Sequence, residues 1–205
     1  VIMNGSDLIA QSPTGTGKTL AYLFPLLASI DVKSLHLQTV ILASSRELVM
    51  QIHQEIIKWT NGSEIRSASF IGGANLKRQL EKLKKKPHII VGTPGKVEEL
   101  LQAKKLKMHE VRTIVLDEGD TLIVAEHLQT IEGIIKSTKK ERQLLLFSAT
   151  VTPSIMNTVS DMMRNPVCIS IKKDERFSGQ VDHIYFVCEK REKMNILEKI
   201  ARLTE

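Results

Sequence analysis

The sequence predicts an α/β fold with a doubly wound, mainly parallel sheet and helices on both faces. Short apolar runs, several of them continuous as in 89–91 and 144–147, alternate with amphipathic segments of helix length. Strands that are apolar on both faces belong in parallel sheets covered by helices on each side. The predicted strands are 7–11, 38–43, 66–71, 88–92, 112–117, 143–147 and 167–171. The predicted helices are 18–29, 46–60, 74–85, 95–104, 128–137 and 153–164. In such a fold, functional loops follow the carboxyl ends of the strands.

Length, charge and cysteine usage limit the class of protein. The 205 residues allow one α/β domain with part of a second. The net charge of +6 makes an anionic partner plausible. Cys168 and Cys188 lack metal-site spacing, which predicts reduced thiols in a cytoplasmic protein. No stretch approaches the roughly 20 apolar residues that span a bilayer, so we expect no membrane partner.

A glycine-rich turn follows the first predicted strand and opens the first predicted helix. This order of strand, turn and helix is the context of a nucleotide phosphate-binding loop, although a chance glycine-rich turn is the alternative. Gly15 and Gly17 allow the backbone to bend around phosphates. Lys18 can reach the outer phosphates, and the Thr19 hydroxyl can hold Mg²⁺. The predicted nucleotide-binding residues are Ser12, Thr14, Gly15, Thr16, Gly17, Lys18 and Thr19.

Two later strands also end in polar residues. Strand 112–117 ends in Asp117 and Glu118. Downstream of a phosphate-binding loop, Asp117 is the expected Mg²⁺ partner, and Glu118 would orient and deprotonate an attacking water. Taken alone, the two acids would also fit a solvated turn. Ser148 and Thr150 follow strand 143–147, and their spacing alone favours capping of the next helix.

In this order, the three elements resemble the DEAD-box family of ATP-dependent RNA helicases. Residues 12–19 are similar to the family's Ala-x-Thr-Gly-x-Gly-Lys-Thr motif, with Ser in place of Ala. Residues 117–120 are similar to the namesake Asp-Glu-Ala-Asp motif, with Gly119 in place of Ala. Residues 148–150 match its Ser-Ala-Thr motif.

Weaker matches lie between these motifs. Residues 44–48 resemble Pro-Thr-Arg-Glu-Leu, with serines in place of Pro and Thr. Residues 72–73 resemble the family's glycine doublet, and 93–96 resemble Thr-Pro-Gly-Arg. Lys96 replaces that Arg, and Lys lacks the planar fork of a guanidinium. The basic run 77–86 is interpreted as the solvated face and end of a helix rather than as an RNA-binding patch.

The resemblance implies a RecA-like three-layer domain that uses ATP and Mg²⁺ and binds RNA through sequence-independent backbone contacts. It implies catalytic roles for Lys18, Asp117 and Glu118, and metal binding by Thr19 and Asp117. It implies RNA contacts at Arg46, Gly73, Thr93, Pro94, Gly95 and Lys96. It also implies that Asp120, together with Ser148 and Thr150, couples the nucleotide state to domain closure.

The resemblance also predicts how the chain is divided. Residues 1–171 would form the N-terminal RecA-like domain, 172–180 a linker, and 181–205 the first strand (181–187) and helix (190–203) of a second RecA-like domain. The family's adenine-reading segment is expected before residue 1. We therefore expect a monomeric fragment that is weakly active or inactive by itself. Two alternatives stay open: a non-enzymatic ATP-dependent RNA-clamping scaffold, and a P-loop ATPase acting on DNA.

Overall fold

The structure, a computed structural model, describes residues 1–73, 76–171 and 185–203. The chain divides into two compact units, Val1–Lys172 and Lys173–Glu205. The first unit contains seven strands: β1 (Leu8–Gln11), β2 (Thr39–Leu42), β3 (Ser67–Phe70), β4 (Ile89–Gly92), β5 (Thr113–Asp117), β6 (Gln143–Ser148) and β7 (Val167–Ser170). Its helices are α1 (Lys18–Ser29), α2 (Arg46–Trp59), α3 (Leu76–Lys84), α4 (Pro94–Gln102), α5 (Gly119–Leu122), α6 (Ala125–Lys136) and α7 (Pro153–Ser160). The second unit contains α8 (Lys193–Leu203).

The seven strands form one sheet in the order β3-β4-β2-β5-β6-β1-β7. Every pairing is parallel. All seven strands therefore end at the same edge of the sheet, which we call the carboxyl edge. The loops after β1, β6 and β5 are neighbours on one half of this edge. The loops after β2, β4 and β3 form the other half.

Apolar side chains cover both faces of the sheet. Along β5, Ile114 and Leu116 belong to one buried apolar cluster, and Val115 between them belongs to a second cluster. This alternation follows from the two-residue period of a strand. Helices α1 and α2 contribute to the second cluster, whereas α4, α6 and α7 contribute to the first. The prediction of a three-layer α/β fold with a parallel sheet is confirmed.

Local signals explain where several elements begin. Helix α2 begins after Ser45, whose side chain accepts a hydrogen bond from the Leu48 N–H. Helix α4 follows β4 directly because Gly92 lets the chain turn back closely. A Cβ at Gly92 would lie only 2.7 Å from a Val97 methyl group and 3.1 Å from the Phe70 carbonyl oxygen.

The structure differs from the sequence-based prediction in a few places. Helix α5 was not predicted, because four residues are too short for an amphipathic pattern. Helix α6 begins at Ala125 rather than at 128. The predicted linker 172–180 and residues 181–184 of the next predicted strand lie outside the described residues. Residues 185–187 of that predicted strand are not in a strand. Among the described residues, no helix is both long and apolar enough to cross a membrane.

Candidate nucleotide and nucleic-acid site

The glycine-rich loop lies at the carboxyl edge between β1 and α1. Gly15 and Gly17 have φ angles of 78° and 86°, in the left-handed region that glycine adopts most readily. The Lys18 ammonium donates to the carbonyl oxygens of Ser12 at 2.6 Å and Pro13 at 3.1 Å, so it lies over the loop. The Ser12 N–H donates to the Ser148 carbonyl oxygen at 3.0 Å. This bond joins the loop to the end of β6.

A cavity of about 660 Å³ opens beside this loop. It is lined by most of the predicted nucleotide-binding residues and by the three acids at and after the end of β5: Thr14, Gly15, Gly17, Lys18, Thr19, Asp117, Glu118 and Asp120. Ser12 and Thr16 instead line an adjoining, mainly apolar cavity of about 410 Å³. Three polar residues of α2, which belong to no recognised sequence motif, also line the larger cavity. Their spacing of four and three residues places them on one helix face: Gln51, Glu55 and Lys58.

Asp117 is buried and held from two sides. The Asp117 residue is only 3% exposed to solvent. The Tyr22 hydroxyl donates to Oδ2 at 2.8 Å, and the Glu118 N–H donates to Oδ1 at 2.9 Å. Burial raises the pKa of Asp117 despite these two hydrogen bonds. Burial and the neighbouring carboxylate also raise the pKa of Tyr22 well above its ordinary value. The acids predicted from sequence therefore do not form a solvated turn.

The donor set of the cavity fits a hard cation. Asp117 offers an oriented, desolvated carboxylate, and the Thr19 hydroxyl lines the same cavity. Mg²⁺ prefers oxygen ligands and is commonly held by one or two protein groups together with substrate phosphates. Among the described residues, no group of three or more His, Cys, Asp or Glu side chains could hold a metal by itself. The site therefore suits a metal that arrives with a phosphate ligand.

Glu118 connects the two halves of the carboxyl edge. Its backbone is left-handed, with φ of 55°. The Ser44 hydroxyl, from the loop after β2, donates to Glu118 Oε2 at 2.5 Å. In the sequence, Ser44 is recognisable only as a departure from the family pattern. A proline at this position has no hydroxyl, so the hydrogen bond depends on that departure.

The three residues expected to couple nucleotide binding to closure are hydrogen-bonded to one another. The Asp120 N–H donates to Ser148 Oγ at 3.0 Å, and the Thr150 N–H and hydroxyl donate to Asp120 Oδ2 at 3.0 and 2.8 Å. Burial acts to raise the pKa of Asp120, but the hydrogen bonds from Thr150 and Ser148 outweigh it and lower the pKa. The cap of α7 is Thr152, whose hydroxyl accepts the Ile155 N–H. Ser148 and Thr150 are therefore not its caps.

The loops expected to contact RNA occupy the other half of the carboxyl edge. The Arg46 guanidinium lies against the glycine doublet: a Cβ at Gly73, whose φ is 76°, would lie 3.1 Å from Arg46 Nη1. Arg46 thus reaches from the first turn of α2 to the loop after β3. Lys96 is placed differently. Its side chain is 6% exposed, and its ammonium pairs with Glu99 at 2.7 Å. The first turn of α4 therefore offers exposed backbone at Gly95 rather than the Lys96 ammonium.

The chain is similar to a family of known proteins. The family model described as DEAD/DEAH box helicase matches residues 1–158. The chain belongs to the DEAD/DEAH box helicase family. Its relatives within the family include the probable ATP-dependent RNA helicase YfmL of Bacillus subtilis strain 168. The two are 55% identical over 203 residues, which is 99% of this chain and 54% of YfmL. The DEAD-box ATP-dependent RNA helicase CshC of Bacillus cereus is 50% identical over 202 residues, which is 98% of this chain and 52% of CshC.

The fold of this DEAD/DEAH box chain is also found in a crystal structure. A DEAD box protein from the hyperthermophile Methanococcus jannaschii superposes with a TM-score of 0.79 at 26% identity. The match covers 97% of this chain and 53% of that protein. The chain spans about half the length of the curated relatives it matches.

Proposed function

We propose that this chain is the N-terminal ATP-binding domain of an ATP-dependent RNA helicase. The helicase couples ATP binding and hydrolysis to the clamping, bending and local unwinding of RNA. One observation carries the proposal: the phosphate-binding loop and the acids Asp117 and Glu118 line a single cavity of about 660 Å³. The printed names of YfmL and CshC, which describe ATP-dependent RNA helicases, support it.

Each group of residues in the cavity has a separate role in ATP binding or hydrolysis. Loop amides and the N-terminus of α1 bind the phosphates of ATP, and Lys18 moves from the loop carbonyls to the outer phosphates. Thr19 and Asp117 would hold Mg²⁺, which would supply positive charge to neutralise the phosphates. Glu118 orients the attacking water and accepts its proton. The adjoining apolar cavity suits the uncharged purine base.

RNA lies along the other half of the carboxyl edge. Arg46, the Gly73 backbone and the start of α4 at Thr93, Pro94 and Gly95 contact its phosphates. Such contacts position a strand without reading its sequence. ATP and RNA each favour the closed arrangement with a second RecA-like domain, so each strengthens binding of the other. The hydrogen bonds among Asp120, Ser148 and Thr150 couple nucleotide binding to this closure of the two domains. Residues 181–205 begin the second domain, after a linker at 172–180.

Steady-state ATP hydrolysis by the whole protein, with and without RNA, tests the proposal. We expect RNA to stimulate hydrolysis. Glu118→Gln should retain ATP and RNA binding but reduce hydrolysis by about 10²- to 10⁴-fold, because the general base is lost. Glu64→Gln is a matched control, since it makes the same change at an exposed glutamate that does not line the cavity. Its hydrolysis should stay close to that of the parent.

Three results would contradict the proposal in different ways. RNA clamping without any turnover would indicate a scaffold. Equal stimulation by DNA and RNA would indicate a P-loop ATPase of another kind. Unchanged hydrolysis in Glu118→Gln would remove Glu118 from the chemistry. The isolated chain 1–205 should hydrolyse ATP far more slowly than the whole protein.

A further inference from the structure

Seven lysines cluster in two segments at the edge of the sheet opposite the carboxyl edge. Residues 82–86, which lead into β4, contain four lysines, and residues 104–107, which lead into β5, contain three. We call these two segments the lysine turns. Neither turn contains an acid. Together they carry more positive charge than the net +6 of the whole chain, so the rest of the sequence is slightly acidic.

Most lysines of the turns are available to a ligand. Lys82 bonds to Ser69, and Lys84 pairs with Glu81. The other five are exposed, and within the part of the chain that the structure describes none has a carboxylate within 4.0 Å: Lys85, Lys86, Lys104, Lys105 and Lys107. Exposed cations without acidic partners repel each other, and an anion would relieve that repulsion.

The two turns meet at one cavity of about 440 Å³. Lys86 comes from the first turn, and Lys105 and Lys107 come from the second. His36 and His109 line the same cavity, with their ring centroids 5.8 Å apart. The cavity is also lined by one acid, Glu110, whose carboxylate is paired with Lys139 at 3.2 Å. The interpretation of 77–86 as the solvated end of a helix considered only one turn. The sequence did not show that parallel strand order brings a second lysine-rich turn beside it.

The backbone of both turns is unusual for lysine. Lys86 and Lys104 have φ angles of 50° and 54°, shortly after α3 and α4 end. This left-handed position after a helix is most often occupied by glycine, because a Cβ is strained there. Backbone strain at two matching positions is a reason to look for a function that needs the side chains.

The composition of the turns indicates the class of ligand. Protein interfaces are enriched in arginine and aromatic residues and depleted in lysine. The lysine turns contain no arginine and no aromatic residue. Lysine binds phosphate as a point charge without demanding one orientation, which suits the backbone of a nucleic acid. The sheet is only four to six residues deep, roughly 13–20 Å, so RNA held at one edge can extend past the other.

We propose that the lysine turns form a second RNA-binding surface, which holds the phosphate backbone of RNA flanking the segment in the clamp. This proposal depends on the proposed function in one respect, because it takes RNA to be the ligand that the clamp holds. The surface raises affinity for long RNAs and contributes nothing to RNAs that only fill the clamp.

The double variant Lys86→Gly with Lys104→Gly in the whole protein tests the proposal. It removes two charges and relieves two left-handed backbone positions, so a loss of binding cannot be attributed to unfolding. We expect an equal or higher melting temperature. At about 0.1 M salt, the affinity for an RNA several times longer than the segment that the clamp holds should fall on the order of tenfold. The dependence of log K on log salt should become shallower, with its slope smaller in magnitude by about 1 to 2.

Affinity for an RNA that just fills the clamp, and the ATP hydrolysis it stimulates, should stay unchanged. Lys136→Ala with Lys140→Ala is a control matched in charge, since it removes two exposed lysines from the end of α6 and the turn after it; Lys136, unlike Lys86 and Lys104, is paired with an acid, Glu132. It should leave long-RNA affinity nearly unaltered.

Several results would overturn the proposal. The first is an unchanged affinity of the double variant for long RNA. The second is an equal loss of affinity for short and long RNA, and the third is an equal loss of long-RNA affinity in the control variant. Binding of polyglutamate that competes with long RNA and depends on Lys86 and Lys104 would instead assign the surface to an acidic protein. Failure of short RNA to stimulate hydrolysis by the parent would refute the proposed function separately, because long-RNA binding is measured without ATP.

Discussion

Gly119 stands where the family's namesake motif has alanine, and the structure shows what that alanine would meet. Gly119 begins α5 and lies against Leu146 of the neighbouring strand β6. A Cβ at Gly119 would lie 2.3 Å from Leu146 Cδ1 and 3.0 Å from Cγ. Leu146 is fully buried, so its side chain cannot move aside into solvent. We therefore predict that Gly119→Ala destabilises the domain.

The magnitude follows from two opposing effects. Alanine in a helix is favoured over glycine by about 1 kcal/mol. Against this, carbon atoms in contact lie about 3.5–4.0 Å apart, so Leu146 must move by more than roughly 1 Å in a close-packed core. Overpacking of this kind costs about 1–3 kcal/mol. The net loss should be up to about 2 kcal/mol, which lowers the melting temperature by up to roughly 8 °C.

Urea denaturation of the parent, both single variants and the double variant measures this coupling. Leu146→Ala alone should cost about 2–5 kcal/mol, because it leaves a cavity. In the double variant the new Cβ at position 119 has space, so the loss should be smaller than the sum of the single losses by about 1 kcal/mol or more. A stabilising Gly119→Ala, or strictly additive effects, would show that the contact with Leu146 carries no energetic penalty.

Three further predictions concern the polar contacts of the cavity. Tyr22→Phe removes the hydroxyl that donates to the buried carboxylate at the end of β5. It should lower the free energy of unfolding by about 1.5–3 kcal/mol in urea denaturation. The control Tyr185→Phe, at a residue that is 87% exposed, should leave the free energy of unfolding unchanged. Ser44→Ala removes the hydrogen bond to Glu118 and should lower kcat for ATP hydrolysis about tenfold, corresponding to about 1.5 kcal/mol, without changing stability; a further loss when Ser44→Ala is added to Glu118→Gln would argue against this route. The lowered pKa of Asp120 means that its carboxylate stabilises the fold above the unfolded-state pKa and that this contribution is lost as pH falls through the folded-state pKa. The stability difference between the parent and Asp120→Asn should therefore shrink in acid, and a pH-independent difference would contradict it.

Features that depend on neighbouring residues were predictable from the sequence. The seven strands of the sheet were predicted within one residue of their ends, because most of them are short apolar runs. The predicted strand 181–187 was wrong where the structure describes it, at 185–187. The loop at 12–17 was predicted from its two glycines, whose left-handed backbone is an intrinsic property of that residue. Parallel strand order then determined that the motif loops meet at one edge. In these cases the local chain and the global fold favour the same structure.

Contacts between distant parts of the chain were decided only by the tertiary structure. Tyr22 and Asp117 are separated by 95 residues, and Ser44 and Glu118 by 74, yet each pair is hydrogen-bonded. Lys96 is likewise buried because of where α4 lies in the helix layer on the sheet, and the lysine residue type alone does not predict that burial. Side-chain partners depend on the order in which strands are placed in the sheet, and no local pattern encodes that order. The sequence by itself therefore determined the strands, the glycine turns and the motif positions, whereas packing of the sheet decided which polar groups meet.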